Sequence, residues 1–412
     1  MSNPTERIVI TGMGAVTPIG IGVESYWRNL LLGKSGIGPI TRYDTTGMAT
    51  HLAAEIHEFT PPEDIPAKFV SRMALFTQYA CAAAGQALRD SGLTVDPKRT
   101  GIVLGTALGG TADVAEGQEA LLRSPQKKSS PSFVPKILSN MASSQVAIAY
   151  GLRGPNYTLS TACASGDDAV GLSSMILYSG RADAMLAVGC EAVTCPVVVS
   201  SLAGSRVMIP GDDPKNAGRP FDLHRNGFVL GEGGGALLLE TESHAKARGA
   251  HIYGVLLGYG NNNDAFHITT PRPEGEGGAD CIYLALESAG LAPSDIDYIN
   301  AHGTGTPIGD ATECAAVRAV FGDELARKIP MSSLRGATGH MMAAGSITDS
   351  IACLLALRDQ ILPPTLHYET PDPDCPIDCV PNQARKAEVN IVMNNAFGFG
   401  GQNASLIFGK YE

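Results

Sequence analysis

Four times along this 412-residue chain a short apolar run ends in a glycine turn. The runs are Ile8-Val-Ile-Thr-Gly-Met-Gly14, Ile102-Val-Leu-Gly-Thr-Ala-Leu-Gly-Gly110, Ala184-Met-Leu-Ala-Val-Gly189 and Ile252 to Gly258. Runs of this kind read as buried strands, because they lack the polar alternation of a half-exposed sheet. Helical spacing lies between them. Residues 22 to 32 place Trp27, Leu30 and Leu31 on one face, and Val70 to Ser91 reads as a long helix stopped by Gly92. Strands alternating with helices predict an α/β fold with a largely parallel sheet. From about residue 251 the cycle restarts: helix Asp280 to Ala289, strand Tyr298 to Asn300, helix Ala311 to Val320, then strands Asn390 to Met393 and Ala404 to Phe408. The repeated order predicts two duplicated halves, 1–250 and 251–412, although residue-level similarity between them is weak.

Composition removes several function classes. The chain is 44% hydrophobic and 6% aromatic with 48 glycines, which suits helices packed tightly on sheets and argues against disorder. A net charge of -11 gives no basic footprint for nucleic acid. Nine scattered cysteines make no disulfide framework, and the pairs Cys190/Cys195 and Cys375/Cys379 lack partners for a zinc site, so no metal is expected. The polar start Met1 to Arg7, with no apolar run near the roughly 18 residues a membrane span needs, points to the cytoplasm. The first glycine turn invites a dinucleotide reading, but Thr17 stands where a third glycine belongs and Pro18 follows. The segment Arg219 to Gly235, dense in glycine around Glu232, reads as a tight turn into a strand.

Three stretches carry chemistry. In Asn156-Tyr-Thr-Leu-Ser-Thr-Ala-Cys163-Ala-Ser-Gly166 a strand-like run meets a cysteine flanked by small residues, and a helical pattern through Ala169, Leu172, Met175 and Ile176 follows. A cysteine at a helix N-terminus is favoured as thiolate, whereas a buried structural cysteine is inert. His302 stands just past a strand end in Asn300-Ala-His-Gly-Thr-Gly-Thr306, and His340 follows glycines in Ser332-Ser-Leu-Arg-Gly-Ala-Thr-Gly-His340. Either histidine alone is most often structural. Two of them with a cysteine, all in strand-end turns, form a rarer pattern, because catalytic groups gather at the carboxyl ends of parallel strands.

The stretches Thr161-Ala-Cys-Ala-Ser-Gly166, His302-Gly-Thr-Gly-Thr306, Thr338-Gly-His340 and Asn395-Ala-Phe-Gly-Phe-Gly-Gly401 resemble the β-ketoacyl synthases of the condensing-enzyme group, above all the type II chain-elongating kind. The resemblance runs over the whole chain and includes Gly227 to Gly233 and Asn263 to His267. It implies a five-layered αβαβα thiolase-like fold with the active site between the halves. It also implies a homodimer, or a heterodimer with a related subunit, whose partner is an acyl carrier protein. Cys163 would take the acyl chain as a thioester. His302 and His340, neutral, would donate hydrogen bonds to the malonyl thioester carbonyl, whose oxygen bears the enolate charge once CO2 leaves. Backbone N–H groups of Cys163 and Phe399 would form the oxyanion hole, with Phe399 also a gate, and Thr304 and Thr306 would hold the phosphopantetheine arm. No metal and no dissociable cofactor is implied.

Two departures from the family pattern follow. Arg335 stands where the family usually has lysine, and Asp349 where it has glutamate, with Gly345 offset by one residue; a longer cation facing a shorter acid is expected to compensate. Asp167 and Asp168, directly after the nucleophile, would oppose thiolate formation if they lay near the sulfur. Alternatives left by these departures are a decarboxylase, loading or acyl-transfer variant and a chain-length-determining subunit, the last disfavoured by Cys163. A thiolase would carry a second cysteine near the C-terminus, and a starter-type synthase would have asparagine in place of His340. Docking of an acidic carrier protein would fall to Lys68, Arg72, Lys127, Lys128 and Arg206 on a chain that is acidic overall.

Overall fold

A computed structural model describes residues 6–124 and 130–412 of the chain. Its first half contributes β1 (Ile8–Thr17), α1 (Leu75–Ser91), β2 (Thr100–Gly105), β3 (Asn156–Leu159), α2 (Ser165–Tyr178), β4 (Ala184–Glu191) and β5 (Gly233–Thr241). The second contributes β6 (Gly254–Asn263), α3 (Glu276–Ala289), β7 (Tyr298–Asn300), α4 (Pro307–Ala326), β8 (Pro330–Ser332), α5 (Ala343–Asp359), β9 (Ile391–Gly398) and β10 (Gln402–Gly409).

Strand order makes the duplication explicit. From the centre outward the first half runs β1-β5-β4-β2-β3 and the second β6-β10-β9-β7-β8. Numbered within each half, both orders read first, fifth, fourth, second, third. The directions agree too: the two inner steps are antiparallel and the two outer steps parallel. The expected largely parallel sheet is therefore correct for the outer three strands of each half and wrong for the inner two. In the second half the reason is local, since β9 and β10 are joined through the three residues Phe399–Gly401, and so short a connection reverses the chain. The half-sheets also meet edge to edge, β1 pairing antiparallel with β6 over Ile8 to Ile10, so that one sheet is continuous through the molecule.

Five layers result. Helix α1 covers the outer face of the first half-sheet, and α3 and α4 cover that of the second. Between the half-sheets lie α2 and α5, each touching strands of both. Every residue of α5 from Ala343 to Leu357 is buried, and each Leu or Ile there contributes about 1.5–3 kcal/mol by leaving water. The approach of α1 explains two glycines of β1. A Cβ on Gly12 or Gly14 would come within 2.2 Å and 2.0 Å of the carbonyl oxygens of Ala87 and Ala83.

Some boundaries differ from those the pattern predicts. The long helix begins at Leu75, not Val70, because residues 71–74 form a turn that drops Met73 and Ala74 into the core after a single helical turn, Ala67–Val70. Helix α4 begins at Pro307, four residues earlier than expected: proline stands at its first turn and the Thr306 hydroxyl accepts from the Gly309 N–H as the cap. Among the described residues no helix is long and apolar enough to cross a membrane.

Candidate active site

Cys163 and His340 occupy equivalent places in the two halves. Each lies between the third strand of its half and the following central helix: β3 and α2 for Cys163, β8 and α5 for His340. The pseudo-symmetric packing of α2 against α5 brings residues 177 positions apart into contact, with Cys163 Sγ 2.9 Å from His340 Nε2. His302 completes the group from the end of β7. The sulfur and one nitrogen of each imidazole all lie within 4.8 Å of one another, and the two rings meet edge to face with centroids 5.3 Å apart. This is the only grouping of three or more possible metal donors among the described residues, so a soft metal bound here would occupy the same atoms.

The backbone around each group is fixed by the glycine-rich sequence. Ala162 takes φ 51°, a left-handed conformation unusual for a residue with a Cβ, and so turns Cys163 sharply out of β3 toward the cavity. His302 and Gly303 donate their N–H groups to the two oxygens of Glu313 at 2.9 and 2.7 Å, and Gly305 donates to Asp310 at 3.0 Å. Both acids project from the first turns of α4. His340 is held by its own backbone: its N–H donates to the Val229 carbonyl and its carbonyl accepts from Gly231. Phe228 packs edge-on to the His340 ring at 5.2 Å, and Phe397 packs against His302 at 6.1 Å. The segment Gly227 to Gly235 is thus more than a turn, because it forms the bed of the second histidine. Its Glu232, fully buried, accepts from Arg42, the Tyr79 hydroxyl and the Ile56 N–H, and ties that bed to earlier segments of the N-terminal half.

Burial dominates the electrostatics. It pushes the Cys163 thiol up to about 12, against the fixed positive charge of Arg335 and the backbone N–H groups of Phe399 and Cys163, which favour the thiolate. The helix N-terminus alone therefore does not ionise this cysteine, contrary to the expectation from its position. Burial also holds both imidazoles well below their ordinary value, with Arg335 reinforcing the effect, so both are neutral near pH 7. Asp167 and Asp168 turn away from the sulfur. Asp167 accepts from Asn394 and Ser350, and burial, with Asp349 and Asp168 nearby, raises its carboxyl well above the usual carboxylate range. Asp168 accepts from Thr161 and from the Tyr259 hydroxyl. The carboxylate that does oppose the thiolate is Glu191, at the end of β4, which also binds the Ala107 and Leu108 N–H groups. A sequence signal for Glu191 existed, since an acid ending a run as apolar as Ala184 to Cys190 must find partners in the core. With a thiol of this kind, alkylation of Cys163 by iodoacetamide is expected to quicken about tenfold per pH unit from pH 7 to pH 10. A plateau near pH 8 would show a preformed thiolate instead.

Arg335 and Asp349 form the bidentate pair the sequence pointed to, Nη1 to Oδ1 at 3.1 Å and Nη2 to Oδ2 at 2.6 Å, 2% and 1% exposed. The three reactive side chains sit in a cavity of about 550 Å3 that opens between Leu108, Arg206 and Ile308. Phe399 lines it beside Gly400 and Gly401, both at positive φ. Thr304 and Thr306 line it as well, their hydroxyls 3.1 Å apart, with the oxygen of Thr306 already engaged as the helix cap. Of the basic residues named for docking, Arg206 is at the cavity mouth. Lys68 and Arg72 lie instead at or beside the short helical turn Ala67–Val70, where Arg72 lines a second groove with Phe69. Lys127 and Lys128 fall outside the described residues.

A buried thiol and two neutral imidazoles, set at the junction of two duplicated αβ halves, define a condensing enzyme of the thiolase-like kind. Comparison with known proteins carries the assignment further. The N-terminal domain of β-ketoacyl synthases matches residues 5–245 and the C-terminal domain residues 253–369. A 3-oxoacyl-[acyl-carrier-protein] synthase 2 of Staphylococcus aureus is 42% identical over 99% of both chains. Among solved structures, the ishigamide ketosynthase/chain length factor superposes with a TM-score of 0.91 at 38% identity, covering 99% of this chain and all of that one. A type II polyketide ketosynthase bound to its acyl-carrier protein superposes with a TM-score of 0.89 at 32% identity over the same shares. The chain belongs to the β-ketoacyl synthase family, whose members are acyltransferases that form carbon–carbon bonds.

Proposed function

We propose that this chain is a 3-oxoacyl-[acyl-carrier-protein] synthase. The observation that carries the reading is the convergence of Cys163, His302 and His340 within 4.8 Å in a cavity of about 550 Å3. In the first half-reaction the Cys163 sulfur attacks the acyl thioester carbonyl. Its proton passes to the lone pair of His340 Nε2, 2.9 Å away, and from there to the departing pantetheine sulfur. The backbone N–H groups of Cys163 and Phe399, both directed at the sulfur, hold the tetrahedral oxyanion.

In the second half-reaction the malonyl carboxylate leaves as CO2. The enolate oxygen is held by N–H groups of the two imidazoles, His340 now in the tautomer with its proton on Nε2, and both stay uncharged because they are buried beside Arg335. The carbanion then attacks the acyl-Cys163 carbonyl, the C–S bond breaks, and the released thiolate takes one proton from solvent water. Thr304 and Thr306 are assigned to the amides of the arm and Phe399 to the gate, its two following glycines leaving the turn free to rearrange. The reading calls on no metal or dissociable cofactor, because the acyl groups arrive on phosphopantetheine. A carrier protein is the partner, the cytoplasm the compartment and a dimer the working form. The exposed edge strand β3, with Tyr157 45% exposed, supports the dimer.

Incubation with acyl- and malonyl-carrier protein, followed by mass spectrometry of intact protein and products, tests the proposal. The expected result is an acyl adduct lost on Cys163→Ser, a condensed 3-oxoacyl product, and a native mass near twice 42.9 kDa. CO2 release without condensation would assign a decarboxylase or loading role. An unacylated Cys163 together with a heterologous partner in the native mass would assign a chain-length subunit.

A further inference from the structure

Helix α5 carries a glycine in its first turn, where alanine would be favoured by helix propensity. The surroundings of Gly345 explain it. A Cβ there would stand 3.3 Å from Nη1, 3.4 Å from Cζ and 3.5 Å from Nη2 of Arg335. It would press on the face of the buried guanidinium.

Neither side can give way easily. The opening of α5 is fixed on its other faces by close packing: the Ala343 carbonyl oxygen lies where a Cβ on Gly166 or Gly189 would be only 2.5 or 2.3 Å away, and the Ile347 side chain where a Cβ on Gly235 would be 2.6 Å away. The guanidinium is fixed by both oxygens of Asp349, a residue of the same helix. Arg335 also opens the short helix Arg335–Thr338, which leads through Gly339 into His340. Any displacement of its side chain is therefore passed to the backbone that carries an imidazole.

We propose that Gly345 and Arg335 are a matched pair, the missing Cβ at 345 being the notch that admits a guanidinium beneath the cysteine and histidines. Gly345 is then a positioning residue, acting on the reaction through Arg335 and His340 without touching substrate. A slimmer ammonium at 335 would not need the notch. The kinetic arm of this inference rests on the condensing activity proposed above, and the stability arm does not.

The test is a double-mutant cycle of Gly345→Ala and Arg335→Lys, read by thermal midpoint and by condensation kinetics. With Arg335 in place, Gly345→Ala is expected to lower the midpoint by roughly 2 °C or more and kcat by roughly tenfold or more, with little change in KM. In the Arg335→Lys background the same substitution is expected to leave kcat within about twofold and to raise the midpoint, as helix propensity alone dictates. Rescue of this kind is something a general packing defect would not show. Equal costs of Gly345→Ala in both backgrounds would overturn the pairing. If Gly345→Ala alone yields no folded protein, a soluble double variant supports the proposal and an insoluble one defeats it. If no version condenses, coupling or additivity of the midpoints decides.

Discussion

Alanine at His302 or at His340 is expected to slow decarboxylation of a malonyl thioester by roughly 10²–10³-fold in each case, because each removes one preorganised donor to the enolate oxygen. The two losses should not multiply, since both donors serve one charge. The variants differ in the first half-reaction. His340 is the residue in contact with the sulfur, so His340→Ala should also slow acylation of Cys163, whereas His302→Ala should leave it within a few-fold. Both imidazoles are neutral by burial and by the charge of Arg335, so decarboxylation should be flat with pH from about 6.5 to 8 and fall only at lower pH, where the imidazoles gain protons. Stopped-flow measurement of CO2 release and intact-mass kinetics of acylation separate the two steps. Equal acylation defects in both variants, or an acid limb centred above pH 6.5, would contradict this assignment of roles.

The cysteine and both histidines were legible in the sequence because their signals are local: a strand, a glycine turn and a small-residue neighbourhood, three times over. The duplication was legible only as an order of elements. Its exactness is in the strand pairing, which no residue pattern reports, because pairing partners are set by the whole half. The ionisation of Cys163 was misjudged for a related reason. A helix N-terminus is visible in sequence, but the burial that outweighs it comes from Phe228 and Met342 among others, contributed by other segments. The positions of Asp167 and Asp168 show the same limit from the other side. Adjacency in sequence suggested repulsion of the thiolate, yet their partners Ser350, Asn394 and Tyr259 lie in the second half and draw both carboxyls away. Glu313 and Asp310, which clamp the His302 turn, gave no warning because acids near the start of a helix are common on any surface. Their burial is what marks them, raising Glu313 to about 8 and Asp310 to about 6.

Loss of Asp349 is expected to be the most destabilising single truncation in the site. Asp349→Ala strands a guanidinium that is 2% exposed and cannot shed its proton, a change that costs about 3–5 kcal/mol. Arg335→Ala should cost less, because a carboxyl can respond by protonation, and burial already raises that of Asp349 against the pull of Arg335. The sign of the pH dependence separates the two variants. With Arg335 gone, Asp349 sits in the fold with its affinity for a proton raised above that of the unfolded chain. Its neutral form is then the stable one, fully so below the unfolded carboxylate range, and the stability is lost as pH rises through the folded value. Arg335→Ala should therefore gain stability relative to Asp349→Ala on moving from pH 8 to pH 5, since only the former keeps a carboxyl at this site and arginine does not titrate there. Replacing both residues with apolar ones, Arg335→Met with Asp349→Leu, removes both charges together and should recover most of the stability. It should not recover activity, because the charge that favours the Cys163 thiolate, and that reinforces burial in keeping both imidazoles neutral, is gone. Urea midpoints at the two pH values, set beside condensation rates for all four proteins, check the whole series. A double variant that is stable and fully active would show that the pair under the active site is there for packing alone.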